Sequence, residues 1–452
     1  MMKRILYFVF WVIFCTSCGN FLEEYSQDLV YAQSCEDLDE ILIGNGYMAQ
    51  PTTPSYFSYG DKAFYYPYLH VMDDDIEEYL TGNANISSSI NPVTTLRNFY
   101  IWAKEPFMRI SGLTFRDYDW KRMYEHIGYL NVIISYVKEF HEDSEEMRHR
   151  ILGEAQFLRA GYYFMLVNLY ANPYSKETAD ATMGVPLNLT EYIEEGYFSR
   201  DPVAAVYRQI VTDLENAIVN LSGIKQPTIY RVNEKAARAL LSRVYLYMGE
   251  WQLVIDECDE IIKMGCSLWD LNNFDPGTAT FGCKRDYFLA KESPEIFFTQ
   301  GAGVVGLLMD NQNITSQTRY RASDELYGIY SKYEKDGILD LRKNCFFEMS
   351  KRDNGYFFVR KNPMFDATVF DSFLLRSGEI YLNKAEAQAM LDQADAINTM
   401  KELMNKRYAD HKLPVIDGLS GKELIQFIRE ERRKELCFEG HRWFDLRRTT
   451  RP

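Results

Sequence analysis

Apolar residues recur at every third or fourth position through much of this chain, which is the spacing that buries one face of an α-helix. One such series covers residues 123–137, and a second covers residues 151–169. The polar residues Asp143 and Ser144 stand between the two series, where the apolar spacing is interrupted. We therefore predict two helices that are joined near Asp143 and Ser144.

The most regular helical pair is predicted within residues 234–265, EKAARALLSRVYLYMGEWQLVIDECDEIIKMG. Gly249 divides its two apolar series and permits a tight turn between the helices. The pair has residues at the offsets of a tetratricopeptide hairpin, in which small residues let two helices approach and large residues fill the gap. We expect Trp251 to be buried against the first helix. The residues at these offsets are Ser242, Tyr245, Gly249, Trp251, Val254 and Ile261.

A third and more degenerate hairpin is predicted over residues 374–406, with alanines at the small positions. The helical frame then covers about 119–264 and 373–448. Residues from about 45–118 and 265–372 are rich in Tyr, Phe, Asn, Gly and Pro, and their apolar runs are short. Because that composition favours loops and short strands, we predict a mainly α protein with a tetratricopeptide-like helical hairpin frame and a loop-rich, aromatic-rich lobe.

Composition narrows the range of functions. The chain has 452 residues, which is more than one hydrophobic core usually organises, and its 46% of apolar residues is ordinary for a globular protein. A formal net charge of −15 would repel a polyanion, so we do not expect nucleic-acid binding. The 33 Tyr, 28 Phe and 6 Trp must in part reach the surface, where planar rings suit sugar faces or partner proteins.

The N-terminus has the layout of a secretory signal. Lys3 and Arg4 precede an apolar run over residues 5–14, which is too short to span a bilayer as a helix. Two small residues then precede Cys18, as a bacterial lipoprotein signal peptidase requires, whereas Cys15 follows a bulky phenylalanine. We therefore predict a signal peptide over residues 1–17 and lipidation of Cys18. A cleaved signal without a lipid is the alternative.

Catalytic and metal-binding patterns are scarce. GAGVVG at 301–306 matches a phosphate-loop pattern after a predicted strand at 295–300, but no long helix is predicted to follow it. The run Asp73, Asp74 and Asp75 lacks the alternate ligand spacing of a calcium loop, and we interpret it as a solvated turn or helix cap. The cysteines form no CxxC pair, and most are expected to be buried. We predict no catalytic residue, no metal site and no cofactor.

Residues 429–448, REERRKELCFEGHRWFDLRR, place six arginines and one lysine among five acidic residues. The apolar spacing predicts a helix that ends at Gly440 and is followed by a second short helical turn. We interpret the segment as a structural clamp of paired charge, with a functional arginine site as the alternative. The pairs expected within the first helix are Glu430 with Lys434 and Arg432 with Glu435.

Several segments together resemble the SusD/RagB-like outer-membrane lipoproteins. The resemblance covers essentially the whole chain in order, so residues 18–452 would form one SusD-like domain with an α-α superhelix. Other family members continue beyond the Asp-Leu-Arg-Arg motif, and on that ground we expect the sequence to be a truncated product or gene fragment. The matching segments are the start at Cys18, YDWKRMYEHIGYLNVII (118–134), EAQFLRAGYYFMLVNLYANPY (154–174), SPEIFFTQ (293–300), LLRSGEIYLNKAEAQAML (374–391) and FEGHRWFDLRR (438–448).

The resemblance implies a lipid-anchored outer-membrane protein, exposed at the cell surface, that binds a glycan or other nutrient. It also implies delivery of that nutrient to a SusC-like TonB-dependent transporter, with no enzymatic activity. Two alternatives stay open. A lipid-anchored glycoside hydrolase should carry two carboxylates roughly 5–10 Å apart in a cleft, and a tetratricopeptide scaffold should present a bare helical groove to a protein.

Ligand capture is expected at aromatic rings of the loop-rich lobe, because the apolar face of a pyranose stacks on a flat ring. The alternative for any one of these rings is a place in the core of the lobe. The candidate ligand-binding residues are Tyr100, Trp102, Trp269, Tyr287 and Tyr320.

Overall fold

The computed structural model describes residues 32–49, 64–80, 92–108, 112, 114, 117–192, 198–275, 287–309, 318–349, 356–359, 361 and 368–450. Within these ranges the protein is mainly helical, which confirms the predicted fold class. The predicted signal peptide and Cys18 lie outside them. The helices are α1 (Cys35–Ile41), α2 (Pro92–Tyr100), α3 (Tyr118–Tyr136), α4 (Glu145–Tyr170), α5 (Val203–Leu221), α6 (Glu234–Met248), α7 (Trp251–Lys263), α8 (Val305–Leu308), α9 (Asp324–Ile329), α10 (Arg342–Phe346), α11 (Ser377–Met390), α12 (Asp395–Met404), α13 (Gly421–Leu436) and α14 (Arg442–Thr450).

The short elements lie mostly between the helical hairpins. Three antiparallel pairs of strands form, namely β1 with β3, β2 with β6, and β4 with β5. A π-helical segment, Leu42–Gly46, follows α1. The strands are β1 (Ile76–Leu80), β2 (Ile296–Gln300), β3 (Thr318–Ala322), β4 (Phe347–Met349), β5 (Tyr356–Val359) and β6 (Phe373–Arg376).

Local signals position the ends of the long helices. The Ser144 hydroxyl accepts a hydrogen bond from the Met147 backbone N–H at 3.2 Å and caps α4, where the turn was predicted. Asn233 caps α6 in the same way through the Ala236 N–H. Gly249 has a φ of 72°, a left-handed conformation that glycine adopts without strain, and it allows α6 to turn into α7.

Trp251 departs from the prediction, because it is only partly buried. It is the first residue of α7, so its indole lies at the end of the hairpin rather than between the two helices. A Cβ placed on Gly249 would lie 3.4 Å from its ring, which shows that the indole covers the turn. The small position Ser242 is fully buried, as predicted, and its hydroxyl accepts a hydrogen bond from the Asn383 amide at 3.2 Å.

The helices pack as a continuous series. Helix α3 packs on α4, α4 on α5, α5 on α6, and α6 on α7. Helix α7 then packs on α11, which also contacts α12 and α13. The predicted hairpin of α6 and α7 therefore packs directly against the hairpin of α11 and α12, although more than a hundred residues separate α7 from α11 in the sequence. Among the described residues, no helix combines the length and the apolar character that crossing a bilayer requires.

The strand predicted before the GAGVVG sequence is present as β2, and its five residues are all buried. Gly301 follows with a φ of 93°, and the next helix is the four-residue α8. Strand β2 pairs antiparallel with β6 rather than lying in a parallel sheet. This local fold differs from the strand and long helix of a dinucleotide site.

The described cysteines form no disulfide with one another and are buried, as most were expected to be; they are Cys35, Cys258, Cys266, Cys345 and Cys437.

The arginine-rich segment forms two helices, but its predicted end and ion pairs were wrong. Helix α13 ends at Leu436 and not at Gly440, because Cys437 leaves the helical conformation with a ψ of 138° and Phe438 then has a left-handed φ of 62°. The predicted local pairs are replaced by contacts with other elements: Lys332 donates to Glu430 at 2.7 Å, and Arg432 donates to Asp445 at 2.8 Å.

Ten charged side chains, here called the charge cluster, lie together in the interior. Each is at most 1% exposed, and five cations face five carboxylates. Glu435 is central, with Arg376 at 2.8 Å, Arg407 at 2.9 Å and Arg342 at 3.3 Å from its carboxylate oxygens. The members are Arg342, Lys361, Arg376, Arg407, Lys434, Glu295, Asp340, Glu431, Glu435 and Glu439.

The charge cluster joins elements that are distant in sequence. Its members come from the residue before β2, from α10 and the segment just before it, from the end of β6, from the residues after α12, and from α13 and the segment just after it, together with Lys361. Because removal of one partner leaves a buried charge unpaired, each member supports the packing of several elements. This arrangement supports the structural clamp predicted for the arginine-rich segment.

Candidate functional site

Trp102 presents its ring to solvent just after α2. Its side chain is 63% exposed, and its indole N–H donates a hydrogen bond to the Met72 carbonyl at 2.7 Å. Its φ of 51° is a left-handed conformation that non-glycine residues rarely adopt. A large apolar ring that is exposed, hydrogen-bonded and held on a strained backbone is a candidate for ligand contact.

Trp443 lies beside Trp102 although 341 positions separate the two in sequence. It belongs to α14, and its ring meets that of Trp102 edge to face, with centroids 5.5 Å apart and an angle of 74° between the ring planes. The guanidinium of Arg447, one turn further along α14, lies 5.9 Å from the Trp443 ring centre. We call Trp102 and Trp443 the tryptophan platform.

Polar residues adjoin Met72 and Trp443 in sequence, and we call them the polar border of the platform. The Met72 carbonyl that holds Trp102 is followed directly by Asp73 and Asp74, and Arg442 directly precedes Trp443. The Arg442 guanidinium donates two hydrogen bonds to the Asp74 carboxylate, at 2.5 and 2.6 Å. Carboxylates and a guanidinium next to exposed rings can accept from and donate to the hydroxyl groups of a sugar.

The aspartates of this border differ in protonation. Burial opposes ionisation of Asp74, but Arg442 and Arg433 lower its pKa below the usual range, so its carboxylate is ionised at neutral pH. Burial and the nearby charge of Asp75 raise the pKa of Asp73 well above its usual value. The border can therefore offer both a charged acceptor and a carboxyl group that binds a proton more readily.

Asp75 itself corrects the interpretation of this run as a solvated turn. Its carboxyl is 1% exposed, and Arg433 donates to its Oδ1 at 2.7 Å. Its Oδ2 is buried and has no hydrogen-bond partner in the structure. Within the described part of the chain, no cluster of His, Cys, Asp and Glu has the arrangement of a metal site.

Tyr320 was predicted to bind ligand through its ring, but this ring is not available for stacking. It is fully buried because β3 pairs with β1 and turns this ring toward the interior. Its ring centre lies 5.5 Å from that of Tyr100, which is itself half-buried. The Tyr100 hydroxyl accepts from the Glu78 backbone N–H at 3.3 Å, so both rings belong to the packing beneath β1.

Trp269 also packs inside the protein rather than on its surface. Its half-buried ring meets Phe274 edge to face at 5.0 Å and lies 6.3 Å from Phe288. Its backbone N–H donates to Glu295 of the charge cluster at 2.8 Å, and its carbonyl accepts from Arg407 at 2.7 Å. The charge cluster thus holds Trp269 as a structural residue.

Tyr287 is half-buried and precedes the fully buried Phe288. Among the described residues it makes no recorded contact with Trp102 or Trp443. Of the five candidate rings, Trp102 is therefore the one that is largely exposed. Sequence reasoning missed Trp443, Asp74 and Arg442, because their partners lie hundreds of positions away.

Two family models match the chain in order. One, described as "SusD-like_3: Starch-binding associating with outer membrane", matches residues 72–246, and one described as "SusD family" matches residues 362–451. Among curated proteins, the chain is 23% identical to SusD-like protein P25 of Formosa agariphila, over 98% of this chain and 89% of that protein.

Solved structures share the fold. A SusD superfamily protein from Bacteroides thetaiotaomicron has a TM-score of 0.70 and 22% identity, covering 92% of this chain and 89% of that one. A structure described as a laminarin-binding SusD-like protein has a TM-score of 0.56 and 21% identity, covering 87% of this chain and 88% of that one. The two SusD family models together match more than half of the residues, and this chain therefore belongs to the SusD-like family.

Proposed function

We propose that this protein binds a glycan at the tryptophan platform and delivers it to a SusC-like TonB-dependent transporter in the outer membrane. The observation that carries the proposal is the exposed ring of Trp102, fixed by its hydrogen bond to Met72 and by the edge of Trp443. A ring that is already fixed loses little entropy when it stacks against the apolar face of a pyranose.

The polar border supports this proposal. Hydroxyl groups at the edge of a stacked sugar ring would lie near Asp73, Asp74 and Arg442, which can fix its orientation. The laminarin-binding relative and the starch-binding family description suggest the first glycans to test.

Binding without bond cleavage is the function we propose, with a glycoside hydrolase as the less supported alternative. Hydrolysis of a glycoside usually needs one carboxylic acid and one carboxylate on opposite sides of the scissile bond. The carboxylate of Asp74 is instead paired with Arg442, and that of Asp75 with Arg433. A purely protein-binding scaffold is also less supported, since the exposed tryptophan lies outside the stacked hairpins.

Membrane anchoring and transporter binding complete the proposed function. The family description includes association with the outer membrane, and the N-terminal pattern supports a lipid on Cys18. Transporter binding is testable by purification of the tagged chain from solubilised outer membranes. The expected result is co-purification of a TonB-dependent transporter, and its absence under conditions that retain the lipid anchor would contradict this part of the proposal.

Affinity electrophoresis in gels that contain starch or laminarin tests glycan binding. The wild-type chain should be retarded in at least one gel of a polysaccharide panel that begins with these two, and Trp102→Ala should migrate as in a gel without polysaccharide. Tyr192→Ala is the matched control, since Tyr192 is another exposed ring, 68% accessible, that belongs to no proposed site. Equal retardation of the Trp102→Ala variant and the wild type, with equal melting temperatures, would contradict the proposal.

A further inference from the structure

A groove of about 350 Å³ lies on the helical frame at the turn between α6 and α7. Neither tryptophan of the platform lines it, although α14 contributes to both places through Trp443 and Arg448. Its size is near the lower end of small-molecule sites, and it suits one or two sugar units better than a protein surface. Its main lining residues are Tyr174, Tyr247, Trp251, Met390, Arg429 and Arg448.

The two arginines of the groove share one buried carboxylate. Arg448 donates to both oxygens of Glu386 at 2.9 and 2.8 Å, and its Nε donates to Asp445. Arg429 donates to Glu386 through Nε alone, at 2.9 Å. Glu386 is therefore fully engaged, and it holds the Arg429 guanidinium in position.

The outer edge of the Arg429 guanidinium is available to a ligand. Its side chain is 35% exposed, and its two terminal nitrogens have no hydrogen-bond partner among the described residues. The lining also includes Glu177 and Lys176, and Lys176 pairs with Glu250 at 3.0 Å. A positioned guanidinium edge with two unengaged nitrogens matches the two oxygens of a carboxylate or a sulfate.

Aromatic groups complete the groove. The indole of Trp251 is partly exposed and covers the Gly249 turn, so it forms an apolar wall. Tyr247 is 8% exposed, and its buried hydroxyl has no hydrogen-bond partner in the structure. The indole wall suits the face of a sugar ring, and the ring of Tyr247 adds to the lining of the groove.

We propose that this groove is a second binding site, specific for an acidic saccharide unit. The carboxylate of a uronic acid, or the sulfate of a sulfated sugar, pairs with the terminal nitrogens of Arg429. The sugar ring lies against the indole of Trp251. The proposal goes beyond glycan capture at the tryptophan platform and does not depend on it, because the two sites share no residue.

The second site is tested by isothermal titration calorimetry of the full chain with three saccharides. These are trigalacturonate, a sulfated galactose disaccharide and neutral maltotriose. At least one acidic saccharide should bind with an affinity that falls as salt is added, because the contact is ionic. Arg429→Gln should weaken that affinity by roughly tenfold or more, the size of one charge-assisted hydrogen bond. Which acidic probe binds distinguishes a carboxylate ligand from a sulfate ligand.

Matched variants separate this site from the platform and from a loss of folding. Arg208→Gln removes an exposed arginine from α5 and should leave acidic-saccharide binding unchanged. Trp102→Ala should abolish glycan binding at the platform and leave acidic-saccharide binding in the groove unchanged. Trp251→Ala should lower the affinity of the groove for the acidic saccharide and leave binding at the platform unchanged. Variants that melt at the same temperature as the wild type are compared with it directly. For variants with a lower melting temperature, binding is measured at a temperature below their unfolding transition.

The proposal is overturned if neither acidic saccharide binds the wild type, or if binding survives Arg429→Gln and is lost in Trp102→Ala. It is also overturned if a peptide with a free C-terminal carboxylate displaces the saccharide and binds more tightly, because the groove would then be a peptide site.

Discussion

Trp102 has a backbone conformation that costs an ordinary L-residue roughly 1–2 kcal/mol relative to glycine. Its φ of 51° places the indole against the Met72 carbonyl and beside Trp443, with most of the ring in solvent. Burial of apolar area does not explain this arrangement, since the side chain is 63% exposed. The strain is more readily explained by a ring that must stand in a defined orientation toward a ligand.

Comparison of Trp102→Gly with Trp102→Ala separates strain from function. Both variants should lose glycan binding, because both lose the ring. Trp102→Gly should be more stable than Trp102→Ala by about 1 kcal/mol in urea unfolding, because glycine accepts a positive φ without strain. Equal stability of the two variants would mean that the backbone relaxes and that no strain is held at this position.

Gly378 is required by the charge cluster. A Cβ at this position would lie 2.3 Å from Arg376 Nη1 and 2.8 Å from Glu435 Oε1. Gly378→Ala should therefore displace buried ion pairs and lower the free energy of unfolding by about 3 kcal/mol or more.

Gly128 is the matched control, since it is also helical, but a Cβ there would meet no atom of another part of the described protein within 4 Å. Gly128→Ala should be neutral or stabilising by up to about 1 kcal/mol. Urea unfolding of both variants measures the difference. Similar effects of the two substitutions would show that the charge cluster tolerates a methyl group at Gly378.

At the level of elements, the sequence predicts those features that depend on nearby residues. Ser144 and Asn233 cap helices through hydrogen bonds that span three positions, and Gly249 turns the chain by its own conformation. The alternation of small and large residues likewise predicted the hairpins. These signals are local, so they can be recognised without the fold.

The ion pairs and the candidate site depend on distant residues, and there the predictions fail. Glu435 was expected to pair with Arg432 three positions away, but it binds Arg407, 28 positions away, and Arg376, 59 positions away. Trp102 and Trp443 lie 341 positions apart in the sequence. The sequence shows which charged and aromatic side chains a segment contains. Which of these side chains contact each other depends on how the helices pack.

The buried carboxylates of α11 and α13 predict a loss of stability in acid. Burial alone would raise their pKa, but Arg448 and Arg429 lower the pKa of Glu386 to about 2, and Arg342 and Lys434 do the same for Glu431. Their ordinary pKa is 4.5. Because the folded-state pKa is the lower one, both groups stabilise the fold fully above about 4.5, and this contribution is lost as the pH falls toward 2.

Urea unfolding at a series of pH values should show this decrease. In Glu386→Gln the free energy of unfolding should be lower at neutral pH and should fall less steeply between pH 4.5 and about 2. A variant with the same pH dependence as the wild type would show that Glu386 makes no such contribution.

At the scale of the whole molecule, a helical frame and a charge cluster together position an exposed platform. The stacked hairpins bring α14 to the residues around Met72, and the charge cluster fixes α13, which precedes α14. The two binding sites proposed above both involve α14, one through Trp443 and the other through Arg448. A small shift of α14 would therefore change the positions of Trp443 in one site and of Arg448 in the other.

The proposed anchor is tested on the whole protein in its native host. Cys18→Ala should move the protein from the membrane fraction to the soluble periplasm, because removal of the acyl chains removes its stable attachment. Cys15→Ala is the control and should leave the protein in the membrane fraction. Fractionation of Cys18→Ala like that of the wild type would contradict lipidation at this residue.

A crystal structure of the chain with a bound oligosaccharide, chosen from the polysaccharide that retards it in affinity gels, tests the central claim most directly. The predicted result is a pyranose ring stacked on Trp102 within about 4.5 Å, with hydroxyl groups bonded to Asp73, Asp74 or Arg442. An oligosaccharide bound elsewhere, with the Trp102 ring still open to solvent, would contradict the assignment of the tryptophan platform as the glycan site.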